Sequence, residues 1–510
     1  MLPSISFGIE DIAQGRQRRV VAAEPLRILL IGDFSGAESC GEPAGIGRPI
    51  GFDRDTYEDC LARLAPRLRL DLPGGTLELQ FKEMDDFHPD RLFHQAGVFE
   101  RLRGLRRRLT NPSLFAAAAA EIAGWGGQGG APAAGDGDAA HPAPDDPGDD
   151  AGLLDAALAA TPQQVPSAST DRADALVDAL VRSVVAPHVV PRPDPRQDEL
   201  VGVVDAAIAD GLRAILHHPA FQRLEATWRG LEFLVRRLET GAQLKLYLLD
   251  TGRASLAADL LDATDLQKTA FFKQVVEPSI GLEGGEHWGL MVGLFGFDHT
   301  AGDAALLGRL GRLTAQAGAA FVATARPTLF GAADLAATPD PDDWADQGDA
   351  ADAEAWAVVR RMPEAVTICL AAPRLLLRQP YGRSSDPCEA LAFEEVEGVP
   401  AHGHFLWGEA GLAAAFAIGS GFALSGWGLR ISATAEIENL PFFVAATGDG
   451  DREPVPCAEV LLTERAAARM RMAGVTPVLS VRNQDMVRMP GLQSIAEVTA
   501  PLAGGWSTDE

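Results

Sequence analysis

The stretch ILHHPAFQRLEATWRGLEFLV, residues 215–235, decides how the chain is read. Phe221, Leu224, Trp228, Leu231, Val235 and Leu238 recur at steps of three and four, the spacing of one apolar helical stripe. Val204, Ile208, Leu212, Ile215 and Leu216 form another stripe upstream. Pro219 lies between the two. A proline starts a helix readily and disrupts its interior, so His217-His218-Pro219 is predicted to be a helix break. Trp228 is the bulkiest member of its stripe and, with Leu224 and Leu231, is expected to anchor a core. Gly230 costs about 1 kcal/mol relative to alanine inside a helix, tolerable where a neighbour packs closely. The adjacent histidines suggest metal binding, but neighbours on a helix point about 100° apart. Helical ligand pairs sit at i and i+4, so His217 and His218 read as structural.

Working outward, strands flank this helical region. LRILLIGDFSG (26–36) is a buried strand closed by Gly32 and Asp33. LRLDL (68–72) and TLELQFKEM (76–84) alternate apolar and polar residues about Pro73-Gly74-Gly75, a hairpin. FHPDRLFHQAGVFERLRGLRRRL follows and is predicted as one helix with Pro89 in its first turn, ending in Arg101, Arg103, Arg106, Arg107 and Arg108. After residue 235, QLKLYLLD (243–250), WGLMVGLF (288–295), AAFVATA (319–325) and AVTICLA (365–371) read as strands. The helical GDAALLGRLGRLTAQAG lies among them. Strand-helix-strand spacing implies parallel pairing, so the chain is expected to be α+β in its first part and mixed α/β beyond.

GWGGQGGAPAAGDGDAAHPAPDDPGDDAG, 124–152, has almost nothing to bury and reads as a flexible linker. It separates a module at 1–123 from a helical region at 153–242 and an α/β core at 243–510. DPDDWADQGDAADAE near 340–354 reads as an acidic loop. Residues 410–429 carry no charge, but their Ala and Gly content favours a buried core helix over a membrane span.

A net charge of −27, from 44 basic and 71 acidic residues, argues against nucleic acid and anionic membrane as partners. Cys40, Cys60, Cys369, Cys388 and Cys457 form no CxxC pair, which fits a reducing, cytoplasmic setting. The first residues lack the charged and apolar regions of a signal peptide. His402 and His404 have no cysteine or carboxylate cluster nearby in sequence, and His88 and His94 are six apart. No GxxxxGK[ST] is present, IGDFSG after the first strand is not a GxGxxG, and GSG at 419–421 lacks the spacing of a nucleophile elbow. The expectation is no catalytic residue, no cofactor and no metal: a protein that assembles rather than reacts.

The wording of several segments is similar to a known family. RILLIGDFSG, RPIGFDRDTYEDCLARLAPRLRL and LELQFKEMDDFHPDRLFHQ resemble the small, VipA-like sheath subunit of the bacterial type VI secretion system. Beyond residue 152, the quoted stretch resembles the large, VipB-like subunit. So do GLMVGLFGFDHT, FVATARPTLFG, APRLLLRQPYGRSSDPCEALAFEE, HFLWGEAGLAAAFA, FALSGWGLRI and EVLLTERAAARMRMAGVTPVL. The resemblance implies a natural small–large fusion with the contractile, phage tail sheath-like fold. Its implied partners are other sheath subunits, an Hcp-type tube protein and baseplate proteins. A tether of about 27 residues would span roughly 30 Å and hold the modules at roughly millimolar effective concentration.

Further expectations follow from the resemblance. Ser4, Ile5, Ser6, Phe7, Gly8, Ile9 and Glu10 match the family's N-terminal strand and are expected to pair with a neighbour. Trp407, in HFLWGEAG, joins Trp228 as an expected core anchor. The chain stops soon after GLQS, where the large subunit continues, and little precedes SISFGIE, where the small subunit carries the helix gripped by a ClpV-type ATPase. Handling by that ATPase is therefore doubtful, and a non-contractile cap, terminator or baseplate adaptor is the alternative to a sheath component.

Overall fold

Leu26–Gly32 (β1) is buried at six of its seven positions, the mark of a strand covered on both faces. It belongs to a computed structural model that describes residues 24–42, 45–72, 75–126, 196–280, 287–345 and 349–506. The expected N-terminal strand at 4–10, residues 127–152 of the expected linker and residues 153–195 lie outside the described residues.

After β1 the chain forms Ala37–Cys40 (α1), Ile50–Phe52 (β2), Tyr57–Leu64 (α2), Arg67–Leu72 (β3) and Gly75–Gln80 (β4). The last two pair antiparallel, Leu68 opposite Leu79 and Leu70 opposite Leu77. The single helix predicted for 87–109 is two: Pro89–Gln95 (α3) and Glu100–Leu109 (α4). Ala96 adopts an extended conformation between them, at φ −72 and ψ 115. The break follows the side chains, because Phe93 and Phe99 are both buried six residues apart, a step one continuous helix does not bring to one face. Phe115–Gly126 (α5) follows.

Gln197–Leu216 (α6) and Pro219–Arg237 (α7) are separated at His217-His218, and the His218 side chain accepts the Ala220 amide to cap α7. Then come Leu244–Asp250 (β5), Arg253–Leu261 (α8), Leu290–Phe297 (β6), Ala301–Gln316 (α9) and Ala320–Ala325 (β7). Next are Ala350–Arg360 (α10), Ile368–Ala372 (β8), Leu375–Leu376 (β9), Trp407–Gly408 (β10) and Gly411–Ser425 (α11). Residues 350–354 of the expected acidic loop are thus helical. Trp344 is buried with its indole donating to the Thr338 carbonyl, so that loop has its own anchor.

The main sheet has seven strands, in the order Val475–Pro477, β8, β7, β6, β1, β5, β2. All pair parallel except β2, which runs antiparallel to β5. β1 registers Leu26 through Gly32 against Leu244 through Asp250 on one edge and Ile28 through Ile31 against Leu290 through Gly293 on the other. Leu29 and Ile31 enter a core with Leu256 and Leu260 of α8 and Leu306, Leu307 and Leu310 of α9. α11 packs against β1, β6, β7 and α7. It belongs to the one described segment apolar enough, by length and composition, to cross a membrane, yet eight of its residues are buried within the protein.

By contact density the chain divides into 1–100 with 206–510 and, separately, 101–205. Within the second unit Arg106 Nε donates to Asp205 Oδ1 at 2.6 Å, and the Gln197 amide donates to the Leu109 carbonyl at 2.9 Å. Glu121 accepts from Arg101 and Arg108, which lower its carboxyl pKa.

Candidate functional site: the joint on helix α7

The helix read first in the sequence is where the early and late segments of the chain meet. Trp228 is fully buried. Its indole Nε1 donates to the Phe34 carbonyl at 2.9 Å, and its own carbonyl accepts the Tyr57 hydroxyl at 3.0 Å. Phe34 and Tyr57 also set their rings edge-on to the indole, at 5.6 and 6.0 Å between centroids. Two turns earlier, Phe221 packs edge-on against Phe81 and Phe87, which stack 4.2 Å apart. Leu224 and Leu231 are buried on the same stripe. Trp407 is buried elsewhere, with Leu376 and Phe405, and its indole donates to the His402 carbonyl. Gly230 faces α11: a Cβ there would lie 2.8 Å from a Leu412 methyl, so the glycine permits a close approach of helices.

The GDFSG turn after β1 presents backbone amides to carboxylates. Asp250 Oδ1 accepts the Phe34 and Ser35 amides at 2.9 and 3.0 Å, and Glu38 Oε1 accepts the Ala254 amide at 2.7 Å. Gly36 holds φ +73, and a Cβ there would strike the Arg67 carbonyl. Asp33 caps the amides of Ala37 and Glu38. Burial pushes the Asp33 carboxyl up to about 6, with Asp250 and Glu38 adding repulsion.

An ionic cluster occupies another face of α7. Glu225 is fully buried and accepts Arg229 Nε and Arg378 Nε, each at 2.7 Å, on Oε1. Arg378 also grips Glu395, at 2.6 Å through Nη1 and 3.1 Å through Nη2. Glu395 accepts the Tyr381 amide at 2.7 Å, and Arg229 Nη2 donates to the Tyr381 hydroxyl at 2.9 Å. Burial alone would raise the Glu395 carboxyl, but the Arg378 charge and the Tyr381 amide override it and hold it at about 2. Burial also raises the Tyr381 hydroxyl. His217 Nε2 stands 3.6 Å from Glu395, an ion-pair separation too long for a good hydrogen bond. His217 stacks on His404 at 4.5 Å, and burial, then His217, lowers the His404 pKa.

A smaller cluster repeats the theme. Glu459 takes the Arg374 amide and guanidinium at 2.5–2.9 Å and lies 3.2 Å from His402. Against the cost of burial, His402 and Arg374 keep Glu459 at about 2. These charges neutralise one another inside the fold, which suits a joint. Trp228, Leu224, Leu231 and Trp407, named from the sequence, are buried, whereas Glu225, Arg378, Glu395 and Tyr381 were not named there. One signal for Glu225 was available: its position between Leu224 and Trp228 sets it inside the apolar stripe.

Comparison with known sequences gives each of these segments a family. Residues 198–496 match the family described as EvpB/VC_A0108, tail sheath N-terminal domain. Residues 14–113 match the family described as Type VI secretion system, VipA, VC_A0107 or Hcp2. The chain belongs to the tail sheath family and carries VipA-type and VipB-type domains in one polypeptide. A curated relative, the type VI secretion system sheath protein TssC1 of Pseudomonas aeruginosa, is 31% identical over 303 residues. The match covers 58% of this chain and 61% of the relative's length.

Proposed function

We propose that the chain is a structural subunit of a type VI secretion sheath, in which the small and large sheath domains are fused into one building block. The supporting observation is β1. A strand from the VipA-matching segment lies between β5 and β6 of the VipB-matching segment and takes main-chain pairing from both. Neither segment completes the central sheet alone, so the fused pair acts as one unit that joins other sheath subunits. In this reading the subunit works in the bacterial cytoplasm, packs around an Hcp-type tube, catalyses no reaction, and uses Ser4 to Glu10 as a strand lent to a neighbour.

The test is electron microscopy of the purified chain with and without tube protein. Helical sheaths, formed alone or on the tube, are expected. Deleting residues 1–12 is expected to abolish them while leaving a folded monomer. Particles that only cap preformed sheaths replace the sheath reading with a terminator or adaptor. A monomer that neither polymerises nor joins a sheath overturns both.

A further inference from the structure

We propose a zinc-type metal site at the same joint, formed by His88, Asp90 and Cys388. The ligand atoms of these three side chains all lie within 4.8 Å of one another. His88 and Asp90 stand at the start of α3, in the VipA-matching segment, and Cys388 is about 300 residues later. The fold brings them together, a juxtaposition no sequence spacing shows.

The ligands are held before any ion arrives. Asp90 Oδ2 accepts the Glu389 amide at 2.9 Å and Oδ1 accepts the Ala390 amide at 3.0 Å, which fixes the carboxylate and the backbone just after Cys388. The preceding turn is closed by the Gly382 amide to the Asp386 carbonyl at 3.1 Å and by Ser385 Oγ to the Pro380 carbonyl at 2.5 Å. His88 Nδ1 lies 3.6 Å from Asp90 Oδ2, close to the separation of two ligands on one tetrahedral ion. Its other nitrogen, Nε2, faces Asp386 Oδ1 at 3.7 Å. The Tyr381 ring sits edge-on to the imidazole at 4.9 Å and limits its rotation.

Binding requires two adjustments. His88 Nδ1 now accepts the Asp90 amide at 3.2 Å, a long bond that the ion would replace. That amide is in the first turn of α3, where water readily serves. Bonds of about 2.0–2.3 Å to one ion require the widest ligand pair to close by about 1 Å. One imidazole, one thiolate and one carboxylate select zinc over magnesium or calcium, which take oxygen ligands. A fourth position is left for water. The ion would bridge the early and late segments, so its affinity adds to the stability of the joint. This holds whether or not the chain builds a sheath.

The experiment uses the full chain, stripped of metal by a chelator and titrated with zinc by calorimetry and with cobalt(II) by absorption. One equivalent of each is expected, with a thiolate-to-cobalt charge-transfer band and a higher unfolding temperature in zinc. Cys388→Ser and Cys388→Val are expected to keep the metal-free unfolding temperature, lose the band and bind zinc at least about tenfold more weakly. No band in the parent chain, or a band that persists in Cys388→Ser, overturns the site.

Discussion

Helix α7 makes two joints of opposite chemistry within two turns. At Trp228 the early segment is held by aromatic area and two neutral hydrogen bonds. At Glu225 and Arg229 the helix is held to residues 378–395 by charges withdrawn from water. The first joint gains its stability from burial, which varies little with pH. The second depends on every partner being present. Losing one leaves a buried charge alone, although the intact cluster adds little over an apolar substitute. The ionic joint thus specifies geometry, and the aromatic joint supplies stability.

Substitution tests that division. Arg378→Ala leaves Glu225 and Glu395 facing each other's charge in a buried site and is expected to cost about 3–5 kcal/mol in denaturant unfolding. A cost below about 1 kcal/mol would mean that water reaches the cluster. Trp228→Ala removes a fully buried indole and is expected to cost a similar 3–5 kcal/mol, read in the same assay. Trp228→Phe keeps most of the area but strands the Phe34 carbonyl, for about 1–3 kcal/mol. If Trp228→Phe costs as much as Trp228→Ala, the hydrogen bond outweighs the ring.

Acid separates the buried carboxylates by sign. Glu395 and Glu459 ionise at about 2 in the fold against an ordinary 4.5. Their contribution is complete above 4.5 and is lost as pH falls toward 2. Asp33 is raised from 3.8 to about 6, so its ionised form burdens the fold above 6 and that burden is relieved as pH falls toward 3.8. Stability profiles of Glu395→Gln and Asp33→Asn against the parent are expected to diverge in these two windows with opposite slopes. Parallel profiles would remove the assigned carboxylates from the acid response. The smallest effect is expected at Gly230→Ala, where strain against Leu412 of about 1–3 kcal/mol is partly offset by about 1 kcal/mol of helix preference.

The sequence was legible where periodicity and local chemistry act together. The stripe through Trp228, the break at Pro219, the β3–β4 hairpin and strands β1, β5, β6, β7 and β8 of the main sheet follow from short-range pattern, whereas the short strands Ile50–Phe52 and Val475–Pro477 were not read from it. The break at Ala96 was not legible, because arginines beyond it continue a helical composition and the deciding contacts of Phe93 and Phe99 are tertiary. Trp228 was readable as an anchor, but its partner Phe34 lies 194 residues away, and no local signal links them. The charged cluster was harder still. Arg378 and Glu395 stand in a segment without regular structure, where charge ordinarily implies solvent, and only the fold reveals them as buried.

The place of β1 between β5 and β6 also sets a timetable for synthesis. The strand leaves the ribosome first, and its second flanking strand is complete only at Phe297. At common translation speeds that interval is roughly 10–50 s for about 260 residues. Until β5 is made both edges of a strongly apolar segment lack their partners, and one edge waits longer for β6. Carrying the late strands on the same message ensures that the right partner is the next one made.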